Sequence, residues 1–373
     1  MKKIKVLHML NTSDIGGAEK LLLDICRYTD KDKFDLIITS FQKGALENEF
    51  KRFSYVKKID LNDSKQFSFK TLRRLNKIIK KERIDIIQTH LQKPDLYGFL
   101  LKLKNPHVTW IIKKGNTDDY RTKLFWRISN GFIHRFANLV IPTSNQVKEF
   151  TKKIEFVPEK KFKVIYSGID TAAMDLALKK DCSKKLKKEL GFKKTDKVII
   201  SVGRLVYQKG FSYLIRIMKE LTEQDKRYKL LIVGDGPLKS KLESLILNLK
   251  VNDNVKLLGE RTDVIDLLQI SDLFCLTSVK EGIPITLMEA MYVGVPIVTT
   301  NVGGNKELVQ HGQTGFLEKA KDISSIKQRI KQLLHKESIR KKFIENARKT
   351  ILARFSIIKT TRNYEKVYIQ LKK

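Results

Sequence analysis

The feature that most restricts this chain is an alternation, run through twice, of short β-branched apolar segments and longer amphipathic ones. The short segments fall at residues 4–10, 34–39, 84–89, 108–112 and 139–141. Near-continuous apolar runs of that length read as strands buried on both faces of a sheet. The stretches between them read as helices. Over residues 69–81, for example, Leu72, Leu75, Ile78 and Ile79 share one face while lysines and arginines cover the other. Parallel strands need a helical crossover between them, so the pattern predicts an α/β fold with doubly wound sheets.

The alternation restarts after a polar, lysine-rich stretch at residues 170–197, which reads as a boundary region. A second set of strands is expected at residues 198–202, 230–233, 255–258, 273–276 and 297–299. Over residues 357–371, Ile358, Thr361, Tyr364, Val367, Tyr368 and Leu371 fall near one face of a closing helix. With 373 residues the chain exceeds what one hydrophobic core usually covers. The expected organisation is a Rossmann-like domain at 1–168, a second at 169–356, and a last helix at 357–373 packing back on the first. Ligands of doubly wound sheets bind outside the carboxyl ends of the strands, so the site is expected in a cleft between the two halves.

Composition removes several classes of function. The hydrophobic share of 42%, with 7 prolines and 19 glycines, suits a globular chain without low-complexity segments. The apolar stretch near the start is short, contains His8 and lacks a small-residue cleavage site, so it reads as a first strand and not as a secretory signal. No run of apolar residues is long enough for a membrane span. Cys26, Cys182 and Cys275 are odd in number and scattered, which points to a reduced, cytoplasmic setting without structural zinc. The net charge of +34 is evenly divided: residues 1–163 hold 35 basic and 18 acidic side chains, and the remainder 40 and 23. Its possible meanings are nucleic-acid binding, attraction to an anionic membrane or to diphosphates, or a lysine-rich solvated surface. No zinc-finger spacing, RNP aromatics or basic arm supports the first.

Three loops carry the chemistry. After the first strand, Gly16 and Gly17 precede a helix; their backbone amides and the helix start suit an anion, and a plain tight turn is the alternative. The full dinucleotide fingerprint is missing, as is an acidic ribose ligand, which counts against a nicotinamide dehydrogenase. After the first strand of the second half, residues 203–210 read Gly-Arg-Leu-Val-Tyr-Gln-Lys-Gly. Arg204 can bridge two phosphate oxygens as a planar fork and Lys209 adds a point charge, although either alone reads equally as a surface cation. The third loop holds Glu281, then Pro284 at a helix start and Glu289 inside that helix. One carboxylate can face a sugar and the other a ribose, with free amides near Thr286 and Leu287 for a phosphate between them. The bland alternative makes Glu281 a cap and Glu289 half of a surface ion pair.

In these stretches, in order and over nearly its full length, the chain resembles the family 4 glycosyltransferases of the GT-B fold. The E-x7-E pair is that family's hallmark, here Glu281 and Glu289. It is accompanied by the GRL-x3-KG loop at 203–210, the Gly-Gly-Ala-Glu turn at 16–19, and Tyr-Ser-Gly-Ile-Asp at 166–170. The resemblance implies two Rossmann-like domains facing across a cleft. It further implies that Glu289 holds the ribose, Arg204 and Lys209 the diphosphate, and Glu281 the donor sugar, with Gly203 and Ile285 lining the same site. The Gly16-Gly17 turn would close over the donor. His90, at a strand end, matches a position where the family often places a histidine near the sugar; a lone histidine there is otherwise a structural residue. The base would rest on the loop at 259–261, with Arg261.

The implied reaction is sugar transfer from a UDP-, GDP- or ADP-sugar with retention of configuration, needing no metal or other cofactor. Glu281, His90, Arg204 and Lys209 are its expected catalytic residues, with the leaving diphosphate stabilised by cations and helix-start amides. The expected acceptor is a glycan or lipid-linked intermediate of bacterial-type surface polysaccharide synthesis. A nucleotide-sugar 2-epimerase of the same fold and, more remotely, a basic nucleic-acid-binding protein are the rivals. Acceptor contacts are implied for the first domain, where residues 113–120 follow no assignable pattern. Over residues 123–135, Phe125, Trp126, Arg127 and Phe132 suit a peripheral place on an anionic membrane face, against the alternative of an ordinary helix packed on the sheet.

Overall fold

The computed structural model describes residues 2–14, 16–115, 122–180 and 182–372. The chain divides into two compact units, Met1–Gly168 with Ser356–Lys373, and Ile169–Phe355. In the first, the strands are β1 (Ile4–Thr12), β2 (Phe34–Gln42), β3 (Val56–Asp60), β4 (Ile86–His90), β5 (Thr109–Lys114) and β6 (Leu139–Pro142). All neighbours pair in parallel, in the order β3-β2-β1-β4-β5-β6. The order reverses between β1 and β4, which makes their carboxyl ends the switch point of this sheet.

Alternation of the strand side chains assigns each face its own core. On one face Val6, Ile86 and Ile111 pack with Leu22 and Ile25 of the helix Gly17–Tyr28 and with Tyr364 and Tyr368 of the helix Ile357–Lys372. On the other, Leu7, Ile87 and Ile112 pack with Leu72, Leu75 and Ile79 of the helix Phe69–Glu82 and with Tyr97 and Leu101 of Gln92–Lys104. The helix Phe69–Glu82 starts where Ser68 accepts a hydrogen bond from the Thr71 amide, an N-cap that satisfies one orphan donor.

The second unit repeats the plan. Its strands are β7 (Lys197–Val202), β8 (Tyr228–Val233), β9 (Val255–Leu257), β10 (Leu273–Leu276), β11 (Ile297–Thr300) and β12 (Phe316–Glu318), ordered β12-β11-β10-β7-β8-β9 and parallel throughout. Here the switch lies between β10 and β7. One main cluster joins Ile199, Leu230 and Cys275 of the sheet to Leu214, Met218 and Leu221 of the helix Phe211–Gln224 and to Ile326, Ile330 and Leu333 of Ile323–His335.

Two strands escaped the sequence pattern, and both are sheet edges. β3 has one buried residue, Val56, and β12 is three residues long. The polar stretch at 170–197, the expected boundary region, forms the helices Thr171–Leu178 and Ser183–Glu189 of the second unit, with Met174 and Leu186 buried. Asp175 also accepts a hydrogen bond from the Tyr292 hydroxyl at 2.8 Å. Among the described residues no helix is long and apolar enough to cross a membrane.

Candidate functional site

The conspicuous polar cluster of the second unit stands at its switch point, on the loops that follow β7, β10 and β11. The loop after β7 is pressed between neighbours. A Cβ on Gly210 would lie 2.2 Å from the Thr277 carbonyl oxygen, and one on Gly234 would lie 2.2 Å from that of Gly203. Thr277 donates through its hydroxyl to the Gly210 carbonyl, and the Val279 amide donates to the Gln208 carbonyl, which fixes the loop after β10 against it. From the other side, the Thr300 hydroxyl donates to the Ser278 carbonyl and the Gly304 amide to the Gly282 carbonyl. Gly303 has φ +52°, and a Cβ there would meet the Glu281 carbonyl oxygen at 2.0 Å. Only glycine fits so close an approach in that conformation.

This clamp brings Glu281 to Lys209. The Lys209 Nζ lies 2.7 Å from Glu281 Oε1, and the Ser278 hydroxyl donates to the same oxygen at 2.6 Å. Glu281 is 8% exposed, so its charge depends on those two donors. Gly203 is packed against the Lys209 stem, 3.2 Å from a built Cβ to Cε. Arg204 extends into solvent and has no ion-pair partner among the described residues. The pair Lys209–Glu281 therefore replaces the capping role considered for Glu281, because the following helix, Ile285–Val293, has Pro284 as N-cap and no side-chain cap at all.

That helix start leaves its first amides free for a ligand. Thr286 donates its hydroxyl to the Val202 carbonyl at 3.2 Å, tying the helix to the end of β7, and Leu287 is wholly buried, so only its amide is available. Ile285 and Glu289 are half-buried, and Glu289 sits in the second turn. The Arg261 guanidinium is held as a fork by Asp263, at 2.8 and 2.6 Å, and reaches Glu189 at 3.1 Å.

In the first unit, Gly16 and Gly17 follow β1, and His90 ends β4, all at that sheet's switch point. Gly17 has open space where a Cβ would be, whereas a Cβ on Gly16 would meet Glu19 Oε2 at 2.5 Å. His90 is buried with His8, whose Nδ1 lies 3.2 Å from His90 Nε2. The Tyr368 hydroxyl donates to Gln88 Oε1 at 2.7 Å, which turns the Gln88 amide nitrogen toward His90 Nε2 at 3.5 Å. Burial, helped by Lys113 and His8, holds the His90 pKa well below the ordinary imidazole value, so the ring is neutral. Its Nδ1 has no hydrogen-bond partner among the described residues.

Comparison with known proteins decides the family. The profile of the "Glycosyltransferase Family 4" domain matches residues 15–173, and that of "Glycosyl transferases group 1" matches residues 183–350. The chain is a family 4 glycosyltransferase. It is 28% identical to the UDP-Gal:alpha-D-GlcNAc-diphosphoundecaprenol alpha-1,3-galactosyltransferase of Escherichia coli, over 99% of this chain and 97% of that one. It is 24% identical to the capsular polysaccharide biosynthesis glycosyltransferase CapH of Staphylococcus aureus, over 98% and 99%. Among solved structures, a glycosyltransferase from Rickettsia africae superposes with a TM-score of 0.88 at 22% identity, covering all of both chains. The HepE protein of Anabaena, in complex with UDP-glucose, gives 0.85 at 22% identity over 98% and 100%. The two Rossmann-like units accordingly belong to the GT-B fold.

Within this glycosyltransferase, sequence reasoning found the charged members of the second unit's cluster but not the support beneath them. Ser278, Gly303 and Thr300 hold Glu281 in place, and no motif announces a serine or threonine whose task is to position a carboxylate. His8 and Lys113 were likewise passed over, since their neighbours come from separate strands. Residues 116–120 of the unassigned stretch in the first unit lie outside the described residues.

Proposed function

We propose that this glycosyltransferase moves a hexose from a UDP-sugar, with retention, to a sugar carried on a lipid diphosphate in the assembly of a surface polysaccharide. The observation that carries the reading is the junction at β7 and β10, where Lys209, buried Glu281 and an uncapped helix start adjoin an unpaired Arg204. A departing nucleoside diphosphate accumulates negative charge, and donors fixed in advance stabilise that charge without reorganising. Arg204 and Lys209 would hold the phosphate oxygens together with the amides of Thr286 and Leu287. Glu281, steadied by Lys209 and Ser278, would orient the sugar, and Glu289 the ribose hydroxyls. His90 serves near the sugar as a neutral donor. Nothing in this scheme calls on a metal, so turnover in excess chelator is expected to equal turnover without it.

The acceptor class and the UDP preference follow the activity for which the Escherichia coli relative is named and the ligand of the Anabaena neighbour. Both family matches and the named relatives are transferases, and nothing in them favours the epimerase. The deciding experiment is a thermal-shift screen of UDP-, GDP- and ADP-sugars, followed by product analysis with and without a lipid-diphosphate sugar. Stabilisation by a UDP-sugar and acceptor-dependent release of UDP support the reading. Conversion of the nucleotide sugar to an isomer in the absence of acceptor rejects it.

We place the enzyme peripherally on an anionic membrane face. The helix Leu124–His134 turns Asn130, Gly131 and His134 inward and leaves Leu124, Ile128 and Phe132 exposed at 68%, 64% and 56% in one stripe. Of the residues expected at the interface, Phe132 is on this stripe, whereas Trp126 and Arg127 are half-buried and the Phe125 side chain lies outside the described ones. No acidic residue occurs between Asp119 and Glu149, while Lys123, Arg127 and Arg135 flank the stripe. An apolar ridge edged by cations suits the headgroup region of anionic lipid. Flotation with anionic but not neutral liposomes is expected; no flotation with either ends the idea.

A further inference from the structure

One buried cation of the first unit, Lys113, takes no part in holding the donor under the scheme above. Lys113 stands on β5 directly beside His90 on β4 in the sheet register. Both side chains rise on the face covered by the helix Gly17–Tyr28, since they continue the alternation of Ile111 and Ile86. Lys113 is 5% exposed and has no hydrogen-bond or ion-pair partner among the described residues. Glu19, at the start of that helix, acts on it electrostatically without forming an ion pair among the described residues. Burial lowers the Lys113 pKa to about 8, against the opposing pull of Glu19.

Lys113 is a buried donor without an acceptor among the described residues. Burying unmade hydrogen bonds is costly, and a buried charge costs more, so such groups mark places where a ligand completes the structure. The amides at the start of the helix Gly17–Tyr28 have no side-chain cap. Leu91, the residue after His90, holds φ +72° and ψ 175°, a region otherwise left to glycine. All of this converges on the carboxyl ends of β1, β4 and β5, beside the switch point where such sheets take ligands.

Donors alone call for a ligand rich in acceptor oxygen and negative charge. We infer that Lys113, beside the uncapped start of the helix Gly17–Tyr28, forms a subsite for a phosphate group of the sugar acceptor. This rests on the reading of the protein as a transferase onto a diphosphate-linked sugar. In that reading the donor's charges are already met by Arg204 and Lys209, while the acceptor's phosphates bring charges of their own that need a cation.

Binding to the full-length protein, followed by calorimetry, tests the inference without turnover. The probes are UDP, a short-chain alkyl N-acetylglucosaminyl diphosphate, and the alkyl N-acetylglucosaminide that lacks phosphate. The diphosphate is expected to bind about tenfold or more tightly than the glycoside, the scale of one charge-assisted contact. Lys113→Gln should bring that ratio close to unity and leave UDP affinity as it was, and Lys113→Arg should keep most of it. An unchanged ratio in Lys113→Gln overturns the proposal; so does an equal loss of UDP and diphosphate affinity, which would assign Lys113 to the donor. Should Lys113→Gln fail to fold, as read from its far-ultraviolet circular dichroism and the loss of a cooperative melt, the native protein still decides. With UDP saturating, inorganic pyrophosphate should compete with the alkyl diphosphate, and failure to compete overturns the subsite. If no nucleotide sugar is ever turned over, the proposed function falls while these affinities remain readable.

Discussion

The Lys209 Nζ stands 2.7 Å from Glu281 Oε1, a link between residues 72 positions apart in the chain. Because Glu281 is 8% exposed, removing the ammonium leaves a buried carboxylate with a single hydroxyl donor, Ser278. Lys209→Ala is therefore expected to lose stability as well as rate: about 3 kcal/mol in urea unfolding, and about 10²-fold or more in turnover where a transition-state donor is lost. The double variant Lys209→Met with Glu281→Leu should recover stability without recovering rate. Unchanged turnover in Lys209→Ala would remove the lysine from the leaving-group scheme.

Arg204 should behave in the opposite way. It is exposed and without a partner among the described residues, so Arg204→Ala is expected to shift unfolding by no more than about 0.5 kcal/mol. Its turnover should nevertheless fall by about 10²-fold. Arg204→Lys should restore only part of this, because a point charge cannot bridge two oxygens as the planar fork does. Initial rates at saturating donor, beside melting curves, make the comparison.

Gly303→Ala tests the clamp rather than the charges. The new Cβ would sit 2.0 Å from the Glu281 carbonyl oxygen at φ +52°, so the loop after β10 has to move. A loss of about 1–3 kcal/mol is expected from that overpacking, accompanied by weaker stabilisation by UDP-sugar in a thermal-shift assay. Gly17→Ala, with nothing within 4 Å of its Cβ, serves as the tolerated contrast for stability.

A pH dependence follows from the buried network of the first unit. Asp95 is 2% exposed and accepts from Lys114 Nζ at 2.7 Å, while His134 Nδ1 lies 2.7 Å from the buried Glu155 Oε2 and its Nε2 3.6 Å from Asp95. Burial pushes the Asp95 carboxyl up, but Lys114 and His134 outweigh it and hold it below its ordinary value. A carboxyl depressed on folding adds stability above its unfolded pKa of about 4, and that contribution disappears as pH falls through the folded value. Lys114→Met should cost about 3–5 kcal/mol at neutral pH by stranding Asp95. The gap from the native protein should narrow as pH drops below about 4. A gap in urea midpoint that is constant with pH contradicts the assignment.

What the sequence disclosed divides along a physical line. Buried strands announce themselves because both faces are apolar, as in Val6–Leu10, whereas β3 and β12 are edges whose few buried residues leave no period to detect. The spacing from Glu281 to Glu289 is legible because both lie on one short segment. That Glu281 meets Lys209, or His8 meets His90 across 82 residues, depends on strand order and register, which no local pattern encodes. The ion pairs of Arg261 with Asp263 and Glu189 are equally hidden, since Glu189 comes from a separate helix. The stretch at 170–197 shows no helical face because its lysines outnumber Met174 and Leu186, the buried residues of its two helices.

The helix Ile357–Lys372 belongs to the first unit and supplies Tyr364 and Tyr368 to its core, yet it is read out after the whole of the second unit. During synthesis the second unit, an uninterrupted segment, can complete its core while the earlier one still waits with the side of its sheet near Gln88 uncovered. The amino-terminal half is thus the later to mature, and the Tyr368 hydroxyl that anchors Gln88 beside His90 comes into place only when the final helix arrives.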